Sequence, residues 1–452
     1  MGLIYLSDKE LGDKKMKNFN LTWTKYAPLE NESSVTDPLA FDYFAQLLGN
    51  IVLPSFTTRT SRARYYSMVC YGIYISKKYL AQQNKPYYEK DILRVFKIYE
   101  KYWARAIVAY YEGKLIEQDK QESGFRGKRG AIKAHLDGQK TLGPNFKFLS
   151  RQLELGGLGA YRTSLESLEL IDSSLNLTQK GEKLAKEFIT QEYYDKLILQ
   201  AIQEEKVIER KGRGSLKSFG SHTHLDGFKR NEDYHKSEQQ LLREYILDNP
   251  KNVASINYIL QNYDYQSNNV LHTIEEITRN NPTTNKEEDV VEGYKTILAF
   301  ENLAILLNRL WCTIIKAAEE GFGNVSLEEC RIICREQLDV IYENEMINEL
   351  ITKQDYHKIC ESYHGSLFQH FIENAMIRRD DYSLVIMELV KYHNRIMEKR
   401  NSCPWIIIDG NNLIVTTGYN YPKKTENLLY LHSYKIPNII SLIEDTEWGI
   451  ND

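Results

Sequence analysis

The chain has 452 residues, enough for roughly two to four domains of about 100–200 residues each. Its 58 Lys and Arg against 62 Asp and Glu give a net charge of -4, which excludes a polycation, so any nucleic-acid contact must come from a local patch. A hydrophobic fraction of 42% excludes a disordered chain, and the scarcity of Pro (10) and Gly (25) favours long helices over turn-rich β structure.

No pattern typical of a secretory signal is visible at the start of the sequence, because charged residues from Asp8 onward interrupt any apolar stretch. The most apolar window, 297–318, contains Glu301, Arg309 and Lys316, which predicts a buried helix rather than a membrane span. None of the six cysteines forms a Cys-x-x-Cys pair. We therefore expect a cytoplasmic protein that does not contact a membrane.

Residues 1–142 are predicted to form a helical domain. Asp37 and Pro38 are typical of an N-cap and first-turn pair, here for a helix that begins at about residue 39. Two further helices are predicted over 59–80 and 90–111, and in the second of these large apolar residues recur every three or four positions.

Three arginines, Arg59, Arg62 and Arg64, lie within six residues at the start of the predicted second helix. A guanidinium group is a planar fork of donors suited to a phosphate or a carboxylate. One interpretation is a contact with phosphate, nucleic acid or an acidic partner. The other, favoured by the apolar residues that follow, is a structural cluster that pairs with acidic residues of other helices.

Positive charge also concentrates in residues 113–151, which are predicted to include a flexible basic loop that ends the N-terminal domain. The segment Gly-Phe-Arg-Gly-Lys-Arg-Gly at 124–130 supplies Arg126, Lys128 and Arg129. It is interpreted either as a solvated surface loop or as a phosphate-binding loop. A helix is predicted after it, over 145–155.

The segment 143–190 is predicted to contain a short helix, a strand, a tight turn, a second strand and a helix. This order resembles winged-helix domains, in which a recognition helix precedes a β-wing. Arg162 and Lys180 are the candidate nucleic-acid contacts here, whereas Glu166 and Glu169 would repel phosphate. Winged helices also serve as protein-interaction modules, so both uses stay open.

Residues 191–400 are predicted to form a second helical domain, and residues 401–452 a C-terminal β-hairpin region. The predicted helices of the second domain cover 193–210, 233–248, a segment from about 253, 287–320, 327–345 and, as the last helix, 382–399. Two β-branched runs then flank Asp409-Gly410, which strongly indicates a hairpin. The predicted fold class is mainly α: a multi-helix scaffold with an embedded winged-helix-like segment and a small C-terminal β-hairpin.

His222, His224 and Asp226 stand in a His-x-His-x-Asp order that is attractive for a metal ion. Amidohydrolase-type sites place such a pair at the end of a barrel strand, whereas this one lies in a Gly- and Ser-containing loop of a helical chain. We therefore favour no metal site and keep a metal-dependent nuclease or hydrolase as the alternative function. No Walker, Gly-x-Ser-x-Gly or His-Glu-x-x-His pattern occurs, so no catalytic residue and no cofactor are predicted.

Three features together resemble a known group of proteins. They are Thr-Thr-Arg-x-x-Arg-x-Arg-Tyr-Tyr at 57–66, the Gly-Gly-Leu-Gly-x-Tyr-Arg to Leu-Thr-x-Lys-Gly-x-x-Leu-Ala run at 156–185, and His393-Asn394-Arg395 followed by Pro404-Trp405 and the hairpin. The combination is similar to proteins of bacterial antiphage defence islands, some of which accompany SMC-like ATPases in Lamassu-type systems.

The resemblance implies a non-catalytic, mostly helical scaffold subunit. It would assemble with an SMC-like ATPase and an effector nuclease, with double-stranded DNA as a further candidate ligand. A third hypothesis is a stand-alone winged-helix transcriptional regulator. The amount of helix on both sides of the winged-helix-like segment speaks against this last hypothesis.

Overall fold

The computed structural model describes residues 37–111, 125–143, 146–209, 212, 214–230, 235–343, 346–376, 381–416 and 432–447. Within these ranges the chain is mainly helical, as predicted, with 20 α-helices and one small antiparallel sheet. The first ten helices are α1 (Phe41–Val52), α2 (Arg64–Gln82), α3 (Glu89–Tyr111), α4 (Lys128–Leu136), α5 (Gln152–Leu155), α6 (Gly157–Ser167), α7 (Gln179–Phe188), α8 (Glu192–Glu204), α9 (Leu216–Thr223) and α10 (Lys236–Leu242).

The remaining helices and the strands form the second half of the described chain. The helices are α11 (Val253–Asn262), α12 (Val270–Thr278), α13 (Asn285–Glu320), α14 (Leu327–Ile333), α15 (Arg335–Glu343), α16 (Met346–Ile351), α17 (Gln354–Cys360), α18 (Tyr363–Phe371), α19 (Tyr382–Lys399) and α20 (Ile436–Glu447). The strands are β1 (Asn324–Ser326), β2 (Ile406–Asp409) and β3 (Asn412–Val415).

The first two helices begin later than predicted. Asp37 does accept a hydrogen bond from the N–H of Phe41 at 2.7 Å, but Ala40 takes a left-handed backbone conformation (φ 57°), so α1 begins only at Phe41. Before α2, the Thr60 hydroxyl donates to the Thr57 carbonyl at 2.9 Å and closes a turn. Residues 59–62 therefore precede α2 instead of forming its first turn.

The predicted basic loop contains a helix, α4, which packs against α3. Gly127 precedes α4 with φ +80°, and a Cβ at this position would lie 2.4 Å from the ring of Phe148. Only glycine combines this backbone conformation with this close approach. The helix predicted over 145–155 is reduced to the single turn α5, and residues 112–124 of the basic segment lie outside the described residues.

The segment between α6 and α7 follows the predicted order, but its strands are reduced to one antiparallel bridge between Ile171 and Leu177. A carboxylate oxygen of Asp172 accepts the N–H groups of Ser174 and Asn176 at 2.9 and 2.8 Å, which makes the turn tight. The winged-helix assignment of this segment stays a prediction.

Helix α13 is the longest described helix, and its N-terminus carries a capping box between Thr284 and Glu287. It is the one described helix long and apolar enough to cross a membrane, but 67% of its most apolar window is buried inside the protein. This burial confirms the prediction of a core helix in this region.

The hairpin predicted around Asp409-Gly410 is present as β2 and β3. A third strand, β1, was not predicted and pairs with β3 to give the order β1-β3-β2, with Val325 opposite Leu413. Ser326 caps the next helix, but the helix predicted over 327–345 is divided at Cys334 into α14 and α15.

The prediction of the last helix is wrong, because α20 follows α19 and the hairpin. The helix α20 packs against α10 and α11, and Lys435, just before it, closes the C-terminal end of α1. The buried Lys435 ammonium donates to the carbonyls of Gly49 and Leu53 at 3.0 and 2.8 Å, a favourable position for a cation. Buried apolar residues from Leu39 to Ile443 form one cluster, so the predicted boundaries at 142, 190 and 400 do not separate independent cores.

His432 connects the segment before α20 to α1 and α13. Its ring nitrogens lie 2.9 Å from a carboxylate oxygen of Glu301 and 3.1 Å from one of Asp42. Burial alone would lower the pKa of His432, but the two carboxylates raise it to about 9. The imidazole is therefore charged at neutral pH and forms two ion pairs.

We predict that His432→Gln lowers the free energy of unfolding by about 3 kcal/mol at pH 5.5, and by less as the pH rises towards 10. Because the folded pKa lies above the unfolded value of about 6.5, the stabilisation is complete below pH 6.5 and is lost as the pH rises through 9. Urea unfolding of both proteins at several pH values measures this difference. The exposed His272→Gln serves as the control, and a His432 effect that does not change with pH would contradict the prediction.

Candidate functional site

Two motifs that the sequence presents separately meet in one buried cluster around Arg64. This side chain is completely enclosed, and its guanidinium lies 2.9 Å from a carboxylate oxygen of Glu238 on α10. It also donates to the backbone carbonyls of His222, at 3.1 Å, and His224. The guanidinium group of Arg64 thus joins the arginine run to the His-x-His-x-Asp segment.

The electrostatics of this cluster follow from its burial. Burial alone would raise the pKa of Glu238, but Arg64 and His235 lower it to about 2. Burial first, and then the charges of Arg64 and His235, lower the pKa of His222 to about 3. The Arg64–Glu238 pair is therefore ionised at neutral pH, whereas the imidazole of His222 is neutral.

Arg62 connects three parts of the chain. Its guanidinium lies 2.5 Å from a carboxylate oxygen of Asp226 and 2.9 Å from one of Asp445 on α20. The same Asp445 oxygen accepts the N–H of Ala63 at 2.9 Å. For Arg62 and Arg64 the structure therefore supports the second interpretation, a structural cluster that pairs with acidic residues of other helices. Their burial corrects the prediction that they contact phosphate.

The His-x-His-x-Asp segment does not form a metal-ligand set. Within the described ranges, no group of three or more His, Cys, Asp or Glu side chains is arranged to hold a metal ion. Asp226 is paired with Arg62, and the ring of His224 stacks on Tyr110 with 5.1 Å between centroids. The alternative of a metal-dependent enzyme using His222, His224 and Asp226 therefore lacks its ligand geometry.

The two candidate contacts of the winged-helix-like segment are also paired with carboxylates. Arg162 lies 2.6 Å from Glu89 at the start of α3 and 3.0 Å from Glu166 on its own helix. Lys180 lies 3.5 Å from Glu169. These neighbours largely neutralise the positive charge of the segment.

The other four predicted contacts, Arg59, Arg126, Lys128 and Arg129, form a group that we call the basic surface. The guanidinium of Arg126 donates to the carbonyl of Arg59 at 3.0 Å, so residues 67 positions apart in the sequence lie side by side. All four are exposed or half-buried. Among the residues that the structure describes, no carboxylate forms an ion pair with any of them, in contrast to Arg62, Arg64, Arg162 and Lys180.

The N-terminus of α4 contributes to the basic surface. Lys128 and Arg129 occupy its first turn, which contains no acidic residue, and no side chain caps it. The first N–H groups of a helix lack partners within the helix, and the positive end of its dipole favours an anion. Two cations at this end destabilise the free helix slightly and strengthen its attraction for an anion.

A cavity of about 430 Å³ lies between α3, α5, Gly143 and residues 146–151. We call it the α3 cavity. Its charged lining is dominated by cations, which are Arg94, Lys97, Lys101, Lys147 and Arg151. The lining contains two carboxylates, Glu154 and Glu205.

Lys101 is the buried cation of the α3 cavity, with only 4% of its surface exposed. Its ammonium donates to the carbonyls of Leu142 and Gly143 at 3.0 and 2.8 Å and lies 5.6 Å from the ring centre of Phe146. Burial first, and then the neighbouring charge of Lys97, lower the pKa of Lys101 to about 8.

Glu100 does not line the cavity but fixes the position of Gln152, which does. Its carboxylate accepts the N–H of Gly157 at 2.5 Å and the amide of Gln152 at 2.7 Å, and a Cβ on Gly156 would lie 2.7 Å from it. Burial raises the pKa of Glu100 to about 7. Sequence reasoning missed Glu100 and Lys101, although a charged pair inside the apolar stripe of α3 was a usable signal.

We predict that Arg64→Leu lowers the free energy of unfolding by about 3–5 kcal/mol, because it leaves Glu238 buried without a counter-charge. The double variant Arg64→Leu, Glu238→Leu should lose less, since no charge then stays uncompensated. The exposed Arg59→Ala should change stability by no more than about 0.5 kcal/mol. Urea unfolding followed by circular dichroism measures all three, and a double variant as unstable as the single one would contradict the prediction.

No protein-family model matches the chain, and neither a curated protein nor a solved structure is detectably similar to it. The resemblance to antiphage defence proteins stays a prediction.

Proposed function

We propose that this protein is a non-catalytic scaffold subunit that contacts the phosphate backbone of double-stranded DNA through its basic surface. The observation that carries the proposal is the difference among the eight predicted contacts. Arg59, Arg126, Lys128 and Arg129 lie together without a described carboxylate partner, whereas the other four are ion-paired.

The physical basis is local electrostatics. A chain with a net charge of -4 has no general attraction for a polyanion, so binding depends on the surface where cations outnumber carboxylates. Arginine forks and the N-terminus of α4 both suit phosphate oxygens. Contacts of this kind fix position and contribute affinity without reading base sequence.

The scaffold part of the proposal concerns protein partners. The resemblance of the sequence implies an SMC-like ATPase and an effector nuclease of a cytoplasmic antiphage complex. Exposed apolar side chains support a protein contact in the second half of the chain. They are Phe322, after α13, and Ile332 and Ile333 on α14, which packs against α13.

We predict that replacing Arg59, Lys128 and Arg129 with alanine weakens binding to duplex DNA equally for unrelated sequences. The slope of log K against log salt concentration should become shallower by about 2–3, since each lost phosphate contact removes about 0.9. Fluorescence anisotropy between about 50 and 200 mM salt measures both quantities.

The matched control replaces Arg279, Arg331 and Arg335 with alanine. This variant loses the same charge, but its arginines pair with acidic residues of their own helical segments. It should bind DNA nearly as the wild type does. Equal losses in both variants, or wild-type binding that does not depend on salt, would contradict the role of the basic surface.

We also predict that the tagged protein, purified from its native cells, carries an SMC-like ATPase with it. The double variant Phe322→Ser, Ile332→Ser should reduce the recovered ATPase about tenfold or more, because buried apolar anchors dominate the affinity of protein interfaces. The exposed Tyr265→Ser is the control. Recovery of the tagged wild-type chain without an SMC-like ATPase would contradict the scaffold role.

A further inference from the structure

The α3 cavity differs from the basic surface in shape. Its volume of about 430 Å³ lies within the range of about 300–1,000 Å³ that is typical of small-molecule sites. A space of this size encloses a small ligand rather than a duplex.

The excess of cationic side chains in the lining of the cavity favours an anionic ligand. Lys101 is almost fully buried, and among the described residues no carboxylate lies within ion-pairing distance of its ammonium. Two carbonyls, the face of Phe146 and the more distant carboxylates of Glu205 and Glu100 compensate this charge only in part, and Lys97 opposes it. A buried cation without an ion-pair partner is costly, so a bound anion would gain more here than at an exposed lysine.

Further cations at the opening can reach the same anion. Lys97 is half-buried, and Lys147 and Arg151 are exposed. Arg151 pairs with Glu154 at 3.0 Å, but both side chains are more than 60% exposed. Such a pair contributes little free energy, so the guanidinium can exchange this carboxylate for a phosphate.

The remaining wall is apolar and partly aromatic. Ile98, Phe146, Leu149 and Leu153 line it. A sugar phosphate or inorganic phosphate would satisfy the cations and leave this wall uncovered. A ligand that suits both parts combines several negative charges with a flat, weakly polar ring.

We propose that the α3 cavity is a binding site for a nucleoside phosphate, whose phosphates contact Lys97, Lys101 and Arg151 and whose base packs against Phe146. Gln152 lies in the same lining with its amide held by the buried Glu100, which also anchors the N-terminus of α6. Glu100 is thus a positioning residue for Gln152. A ligand here would contact α3 and α5 directly.

Isothermal titration calorimetry of the full chain with ATP, AMP and inorganic phosphate tests this site. ATP should bind more tightly than AMP because it carries more charge, and inorganic phosphate should bind at least about tenfold more weakly than ATP. Lys97→Ala and Arg151→Ala should each weaken ATP binding about tenfold, which corresponds to about 1.4 kcal/mol. Phe146→Leu should weaken ATP and AMP but not phosphate, and the matched control Arg331→Ala should bind ATP as the wild type does.

Several outcomes would overturn the proposal. Absence of saturable ATP binding, or equal affinity for phosphate and ATP, would remove the nucleoside phosphate as the ligand. The variant of Arg59, Lys128 and Arg129 separates this site from the basic surface, because it should lose DNA affinity and keep ATP binding. Equal loss of ATP binding in that variant would mean that the two regions form one nucleic-acid surface and that the cavity has no ligand of its own.

Discussion

The buried ion pair between Arg64 and Glu238 is the interaction on which the rest of the N-terminal half depends. It fixes the start of α2 against α10, and Arg64 also holds the C-terminal end of α9 through the backbone carbonyls of His222 and His224. Two positions earlier, Arg62 joins the residues just after α9 to α20 through Asp226 and Asp445. Arg64 is enclosed and Arg62 is largely buried, and both are ion-paired, so their charges stabilise the fold and position the parts of the chain that face solvent.

This architecture determines where the cations of the basic surface lie. Tyr65 follows Arg64 in α2 and stacks on Tyr161, while its hydroxyl accepts the N–H of Arg126 at 2.6 Å. Arg126 in turn contacts Arg59 and directly precedes the left-handed Gly127 at the start of α4. The buried pair and the basic surface are therefore joined by a short series of direct contacts, and the surface has a defined geometry although its side chains are exposed.

Helix α3 places unusual charges at the border of the hydrophobic core. Its neighbours Tyr99, Tyr102 and Trp103 are fully buried, yet Glu100 and Lys101 between them are buried as well. Glu100 is satisfied by donors from α5 and α6, whereas Lys101 faces carbonyls and an aromatic ring. The difference leaves Lys101 at the α3 cavity without an ion-pair partner among the described residues, which is why we propose that an anion binds there.

The sequence by itself determined the mainly helical class, the buried helix over 297–318 and the hairpin, because periodicity and turn residues act over a few neighbouring positions. It also identified the eight cationic residues, but not which of them lack an ion-pair partner among the residues that the structure describes. Local pattern did not predict β1, α4, α20 or the α3 cavity, because each depends on residues far apart in the chain. Only the tertiary structure decided that Arg64 is enclosed while Arg59 is exposed, since a charge is neutralised by its neighbours in space and not by those in sequence.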